Sequence, residues 1–396
     1  MKMKVLIADK FPDFYVQKLK DKNVEVIYEP KLGENDIPKY SNDVDTIVVR
    51  STKVNADAIV NSTRLNLIIR AGAGFNNIDI KAANKKGIYV ANCPGKNSIA
   101  VAELAMGLII ALDRKIADNV ADFNNGVWNK EIFSKAEGLA GKTLAIIGYG
   151  NIGKELAKRA LAFGIRVLVK DVMPITDEDV EVFDDFAKTL PRADIISLHL
   201  PANAQTRGLF NEKMFGYLKP GTILINTSRA EVIDEDALIK AIKENNLKVG
   251  LDVFKGEPEG KNGFVSSLLQ GLPNVYVTHH IGASTEQAQN AVAEETVKII
   301  HHYVETGTVL HWVNNAKAAD SPYQLIVKHY DKPGVLASVL DVLKQGDINI
   351  EEMENIIFDD RLVASCTLKL KTQATEAMLK IIAHNVNVIS VSHTKA

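Results

Sequence analysis

The 396-residue chain is 46% hydrophobic and 24% charged, with 47 basic against 49 acidic residues. That length suits two or three domains, and a net charge of −2 leaves no basic excess to draw the chain to nucleic acid. Its two cysteines, Cys93 and Cys366, lie far apart without metal-ligand spacing, which argues against a disulfide framework or a metal centre and for a reducing, cytoplasmic compartment.

Met1-Lys2-Met3-Lys4 is too short for a signal peptide, and Val5-Leu6-Ile7-Ala8 reads as a first strand. Further β-rich runs follow at 24–27, 46–49, 67–69 and 88–90, separated in part by polar segments with helical spacing. That alternation predicts a parallel sheet covered by helices. Ser98 to Asp118 carries the strongest helical signal, with Asn97 or Ser98 as its cap, and is expected to join two lobes. Its apolar stretch, Ile99 to Leu112, is interrupted by Glu103 and is too short to span a bilayer, so no membrane segment is expected.

Leu144-Ala145-Ile146-Ile147 then runs into Gly148-Tyr149-Gly150-Asn151-Ile152-Gly153, and helical spacing continues through Leu156, Ala157, Ala160 and Leu161. A lone G-x-G-x-x-G is weak, but here a strand precedes it and a helix follows it. Glycines let the backbone approach a pyrophosphate closely, and the helix N-terminus offers free N–H groups. A second run, 166–170, ends at Asp171, 18 residues after Gly153 (171 − 153). A carboxylate there accepts from ribose hydroxyls and repels a 2′-phosphate, which predicts NAD rather than NADP; Lys170 beside it points the other way. Six apolar runs between 144 and 278 predict a doubly wound sheet. The helical pattern over 284–305 has no further strand to feed and is expected to return to the first lobe, leaving that lobe discontinuous.

Three side chains follow apolar runs late in this stretch: Arg229 after Ile225-Asn226-Thr227-Ser228, Glu257 after Leu251-Asp252-Val253-Phe254, and His280 after Val275-Tyr276-Val277-Thr278-His279. In an open α/β sheet, the carboxyl ends of strands line the ligand crevice. A guanidinium there forks onto a carboxylate or carbonyl, a histidine takes or gives a hydroxyl proton, and a glutamate on that imidazole orients it. Asn314 to Pro322 is small and polar and reads as a linker. Beyond it the pattern is βαββαβ, the ferredoxin-like arrangement: a strand over 324–328, a helix from Pro333-Gly334 to Leu343, strands at 348–350 and 362–370, a helix over 375–384 and a strand over 386–391.

Over residues 1 to about 313 the chain resembles the D-isomer-specific 2-hydroxyacid dehydrogenase family. The likeness is carried by Arg50-Ser51-Thr52-Lys53, Arg70 to Asp79, Asn97-Ser98 with Ala102-Glu103-Leu104, the Gly148–Gly153 turn, Asn226-Thr227-Ser228-Arg229, Gly250 to Phe254 with Glu257-Pro258, and His280 to Thr285. Within the family it is most like the members that oxidise D-3-phosphoglycerate. The resemblance implies two α/β lobes, a substrate domain (1–96 and 284–313) and a Rossmann-like NAD domain (97–283), in a homodimer or homotetramer. It implies an Arg229–Glu257–His280 catalytic set. Cofactor contacts are expected from Gly148, Gly150, Asn151, Ile152, Gly153, Asp171, Leu200 of His199-Leu200-Pro201, Thr227, Ser228, Asp252 and Ala283. Substrate contacts are expected from Arg50, Ser51, Arg70, Gly72, Ala73, Gly74 and Asn97, with Arg50 and Arg70 as the cations for a phosphate.

Two departures stand out. Ala230 and Glu231 replace the usual glycine and small residue after the arginine, and His279 replaces the usual proline before His280, which makes it a rival for the proton. Residues 322–396 resemble ACT modules, on His329 to Gly334 and Asp347 to Ile350. In serine-regulated relatives, His329, Asp331 and Asn349 would be the effector positions for L-serine, although an asparagine is usual at 331. The competing functions are a glyoxylate/hydroxypyruvate reductase and a non-catalytic NAD-sensing interaction protein.

Overall fold

The computed structural model describes residues 2–22, 24–258, 263–316 and 321–395. These form two compact units that divide between Asn314 and Asn315; residues 317–320 of the expected linker lie outside the described residues.

The first unit holds two parallel sheets. In one, β1 (Met3–Ile7), β2 (Val24–Tyr28), β3 (Thr46–Val49), β4 (Leu67–Arg70) and β5 (Tyr89–Asn92) lie in the order β2-β1-β3-β4-β5. β3 is buried along its whole length, which is why it reads as a continuous apolar run and not an alternation. The Glu286–Thr306 helix packs Val292, Ala293, Val297 and Ile300 into the same core as Val5, Ile7, Val48 and Ile69, so the chain comes back to this sheet after completing the other.

The second sheet comprises β6 (Thr143–Ile147), β7 (Arg166–Lys170), β8 (Glu181–Val182), β9 (Ile195–Leu198), β10 (Ile223–Asn226), β11 (Lys248–Leu251) and β12 (Val275–Val277). Its order is β12-β11-β10-β9-β6-β7-β8. The winding reverses between β6 and β9, the point above which an open α/β sheet binds its ligand. β8 is a strand beyond the expected six; it is two exposed residues long and leaves no apolar run to read.

The helix expected over Ser98–Asp118 ends at Arg114. Lys115 takes φ 51°, and a separate helix, Ile116–Asn124, begins there. The first helix buries Ala105, Leu108, Ile109 and Leu112 against Leu144, Ile146 and Ile225, whereas the second buries nothing. Neither expected cap operates: Asn97 makes no side-chain capping bond, and the Ser98 hydroxyl is buried without a partner.

The second unit contains β13 (Tyr323–Tyr330), a helix (Val335–Gln345), β14 (Ile350–Ile357), β15 (Val363–Leu370), a helix (Glu376–Ala383) and β16 (Val388–Lys395). The four strands form one antiparallel sheet, ordered β14-β15-β13-β16, in a ferredoxin-like βαββαβ arrangement. Leu325, Val327, Cys366 and Leu368 meet Val339, Leu343, Met378 and Ile382 in its core. β14 runs well past the expected 348–350. Seven of its eight residues are exposed, and Glu351, Glu352 and Glu354 hide the strand from an apolar-pattern reading. Among the described residues, no helix is long and apolar enough to cross a membrane.

Candidate active site

The glycine turn is built by close approach. Gly148 sits at φ 98°, and a β-carbon there would overlap the carbonyl of His199. A β-carbon at Gly153 would overlap the Gly148 carbonyl, so the Asn151–Ala162 helix packs directly on the turn. Gly150 differs: it has open space on its β-carbon side and caps the helix with no side chain, leaving the first N–H groups without a side-chain cap. The Asn151 amide rests against Gly95, 3.0 Å from where a β-carbon would stand.

Asp171 stands at the end of β7 beside this turn. Its carboxylate accepts the N–H of Tyr149 at 2.6 Å and of Met173 at 3.0 Å. Lys170 is turned elsewhere: its amine donates to the Asp184 carbonyl at 3.1 Å and lies over the Phe186 ring, so its charge does not blunt Asp171. Leu200 packs at Gly148. His199 bonds Ser197 Oγ through Nε2 at 2.9 Å; burial holds it down to about 4, and its Nδ1 is buried without a partner. The Thr227 hydroxyl is likewise buried and unpartnered.

Asn226 shapes the next strand end. Its carbonyl accepts the N–H and hydroxyl of Ser228 at 3.0 and 2.8 Å, and its amide donates to the Arg229 carbonyl at 2.9 Å. Arg229 is thereby presented with Nη1 on the Ser228 carbonyl at 2.6 Å and Nη2 against Gly74, where a β-carbon would overlap it. The unusual Glu231 does not disturb this, because it faces Arg207 at 3.5 Å.

Asp252, 1% exposed, organises the turn that carries the histidine. One oxygen accepts from Thr278 Oγ1 at 2.6 Å and the Ile281 N–H at 2.9 Å, the other from the Gly282 N–H at 2.8 Å. Ala283 lies inside the tight turn closed by the Ser284 N–H on the Ile281 carbonyl at 2.7 Å. Held this way, His280 adopts φ 53°, a left-handed conformation that a non-glycine residue keeps only when its surroundings impose it. Its Nδ1 meets Glu257 Oε2 at 2.8 Å, while Glu257 Oε1 accepts the Phe254 N–H at 3.0 Å. The bond to Glu257 raises the imidazole above its ordinary range, against partial burial and the charge of Arg229. Nε2 is the nitrogen left for a proton in transit. His279 is exposed and makes no hydrogen bond among the described residues, so the carboxylate partner falls to His280.

The first sheet contributes cations. Arg70 ends β4, its Nε is buried without a partner, and its guanidinium lies over Gly72, where φ is 149° and a β-carbon would overlap it. Burial, with Arg229 and Arg50 nearby, pushes Arg70 down to about 10. Arg50, Arg70 and Arg229 have no carboxylate partner among the described residues, and the Gly72-Ala73-Gly74 loop lies between the last two. Ser51 spends its hydroxyl hydrogen on Asp9 at 3.1 Å. Two residues here escaped the sequence reading. Asn92 donates to the Ala73 carbonyl at 2.6 Å and fixes the glycine loop, and Asp9 gathers the Arg50–Thr52 turn. Both follow apolar runs, as Arg50 and Arg70 do, and that position was the available signal.

The family model for "D-isomer specific 2-hydroxyacid dehydrogenase, NAD binding domain" matches residues 106–282. A hydroxypyruvate reductase of Thermotoga maritima is 41% identical over 75% of this chain and 97% of its own length. The chain belongs to the D-isomer specific 2-hydroxyacid dehydrogenase family. A D-3-phosphoglycerate dehydrogenase of Methanocaldococcus jannaschii is 34% identical over 98% of this chain and 74% of its own. Among solved structures, the NAD+-bound 3-phosphoglycerate dehydrogenase of Entamoeba histolytica superposes with a TM-score of 0.67 at 29% identity, covering 80% of this chain and 100% of that one. A D-2-hydroxyisocaproate dehydrogenase structure gives 0.71 at 26% identity, covering 79% of this chain and 100% of that one.

The protein is thus an NAD-dependent D-2-hydroxyacid dehydrogenase. The crevice of this dehydrogenase fits that cofactor on its own geometry: an open cradle at Gly150, uncapped helix N–H groups, Asp171 at the strand end, and two buried polar atoms, Thr227 Oγ1 and His199 Nδ1, without partners. In its second unit the expected effector residues are scattered. His329 is buried, with Nδ1 on the Tyr330 carbonyl at 2.8 Å and Nε2 on Asn355 at 3.2 Å. The Asp331 N–H donates to the Leu362 carbonyl, and Asn349 donates to Glu351 at 2.8 Å. In register, His329 faces Ala364, whereas Ile350, beside Asn349, faces Leu370, so the two positions are two strands and roughly 20 Å of strand apart within one chain.

Proposed function

We propose that this dehydrogenase oxidises D-3-phosphoglycerate to 3-phosphohydroxypyruvate, the first step of phosphorylated L-serine synthesis. The observation that carries the reading is the pair of guanidiniums at the glycine loop, Arg70 at Gly72 and Arg229 at Gly74, with the charge of Arg50 close to Arg70 and none of the three with a carboxylate partner among the described residues. A monocarboxylate needs one guanidinium; a carboxylate and a phosphate on one small molecule call for more. In this reading Arg229 holds the carboxylate and polarises the developing carbonyl, Arg50 and Arg70 hold the phosphate, and Ser51, the Gly72–Gly74 loop and Asn97 wall the pocket. His280 Nε2 takes the hydroxyl proton, and Glu257 orients the ring and stabilises its protonated form. NAD, when bound, supplies the hydride-accepting chemistry. The Gly148–Gly153 turn with Asn151 and Ile152, Asp171, Leu200, Thr227, Ser228, Asp252 and Ala283 would hold it.

The proposed division is a substrate domain over 1–96 and 284–313, an NAD domain over 97–283, and an ACT-like regulatory unit over 322–396. The enzyme is proposed as a cytoplasmic homodimer or homotetramer, in keeping with its two buried, unpaired cysteines. The separation of His329 from Asn349 speaks against an L-serine site within one chain. The second reading, a glyoxylate/hydroxypyruvate reductase, draws its support from the 41% identity to the Thermotoga protein. The test is NADH formation from D-3-phosphoglycerate beside NADH consumption with glyoxylate and hydroxypyruvate. Strong preference for the phosphorylated pair is expected; equal or better use of the unphosphorylated acids makes the reductase reading the right one.

A further inference from the structure

Asp9 closes β1 with a side chain that takes no part in the chemistry, yet it is only 5% exposed. One of its oxygens accepts three successive backbone N–H groups, from Arg50 at 2.7 Å, Ser51 at 3.0 Å and Thr52 at 3.0 Å; the other accepts the Ser51 hydroxyl at 3.1 Å. At the end of the same turn, Asn77 donates to the Thr52 carbonyl at 2.8 Å. The turn is therefore held at its N–H groups by Asp9 and at the Thr52 carbonyl by Asn77. A turn whose N–H groups are already engaged cannot bind an anion through its backbone, as a glycine turn does. What it has left to offer is the Arg50 side chain. The carboxylate also sets a negative charge close to Arg70, opposing the mutual repulsion of three neighbouring guanidiniums without occupying any of them.

We propose that Asp9 is a positioning residue for substrate selection. By holding the Arg50–Thr52 turn, it sets where the Arg50 guanidinium meets the anionic group at the far end of the substrate, and so the discrimination between a 2-oxo acid that bears such a group and one that does not. This rests on the phosphoglycerate reading above. A misplacement of about 1 Å in a binding group costs up to roughly a hundred-fold, so the effect is readable in KM.

The experiment compares 3-phosphohydroxypyruvate with hydroxypyruvate for the unaltered enzyme, Asp9→Asn and Asp9→Ala. It uses NADH consumption for kcat and KM, and NADH fluorescence as a check on the second sheet. Expected for Asp9→Ala is a rise of about ten-fold or more in KM for the phosphorylated acid, with KM for hydroxypyruvate, both kcat values and NADH affinity little changed. Asp9→Asn keeps the shape and one acceptor and falls between. If Asp9→Ala does not fold, Asp9→Asn carries the same selective readout. Parallel rises in both KM values, or no change in their ratio, overturn the inference while leaving the phosphoglycerate reading standing. Equal use of the two acids by the unaltered enzyme overturns that reading and the inference with it.

Discussion

The two parallel sheets of the first unit prepare for anions in opposite ways. The second sheet offers backbone: at Gly148–Gly153 the glycines bring the chain close, Gly150 is left open, and the helix N–H groups have no side-chain cap. The first sheet offers side chains: the N–H groups of the Arg50–Thr52 turn are consumed by Asp9, and Arg50 and Arg70 project from it. A backbone cradle suits a pyrophosphate whose shape does not vary. Guanidiniums on a clamped turn suit a small acid whose size and charge must be distinguished. Between them, Arg229, Glu257 and His280 come from the second sheet, and Arg229 meets the first at Gly74.

This division can be broken at several points. His280→Ala removes the group that serves both halves; kcat should fall by about 10²–10⁴-fold with NADH affinity retained, as steady-state kinetics and fluorescence titration would show. Full activity in that variant would move the proton to His279. Next in size is a crossed pair. Gly148→Ala forces a β-carbon into the His199 carbonyl and should abolish NADH binding while sparing the first sheet. Arg70→Ala should raise KM for the acid by about 10–100-fold, the loss of a charge-assisted bond, and leave NADH affinity unchanged. If both variants lose both ligands, the sheets do not act separately.

A subtler test uses pH. Glu257 raises His280, so oxidation, which needs the free imidazole, should gain rate as pH rises through a midpoint above the ordinary histidine value; reduction, which needs the imidazolium, should lose rate over the same window. Glu257→Gln should move both limbs to lower pH, and an unmoved profile would detach the glutamate from the titration. Smallest is Lys170→Ala. Because that amine is committed to Asp184, the ratio of NAD to NADP turnover should stay the same.

What was legible in the sequence was local. The strand, glycines, helix and Asp171 stand in one short stretch, and Arg229, Glu257 and His280 each follow an apolar run. Asp9 and Asn92 were not found because their partners lie 41–43 and 19 residues away. A carboxylate facing N–H groups leaves no mark on the pattern of either segment. The Lys115 break was hidden because lysine is an ordinary helix former and carries no signal for a left-handed step. In the second unit the βαββαβ order was legible but the strand registers were not, and it is the registers that set His329 and Asn349 toward opposite ends of the sheet.

The boundary between Asn314 and Asn315 also bears on descent. The unit beyond it closes a core of its own, from Leu325 to Ile382. Relatives such as the Thermotoga reductase and the hydroxyisocaproate dehydrogenase are matched along nearly their entire length by about three-quarters of this chain. The boundary is a seam: a gene rearrangement there adds or removes a whole folding unit without cutting a strand or a helix, so the two units are free to have separate histories.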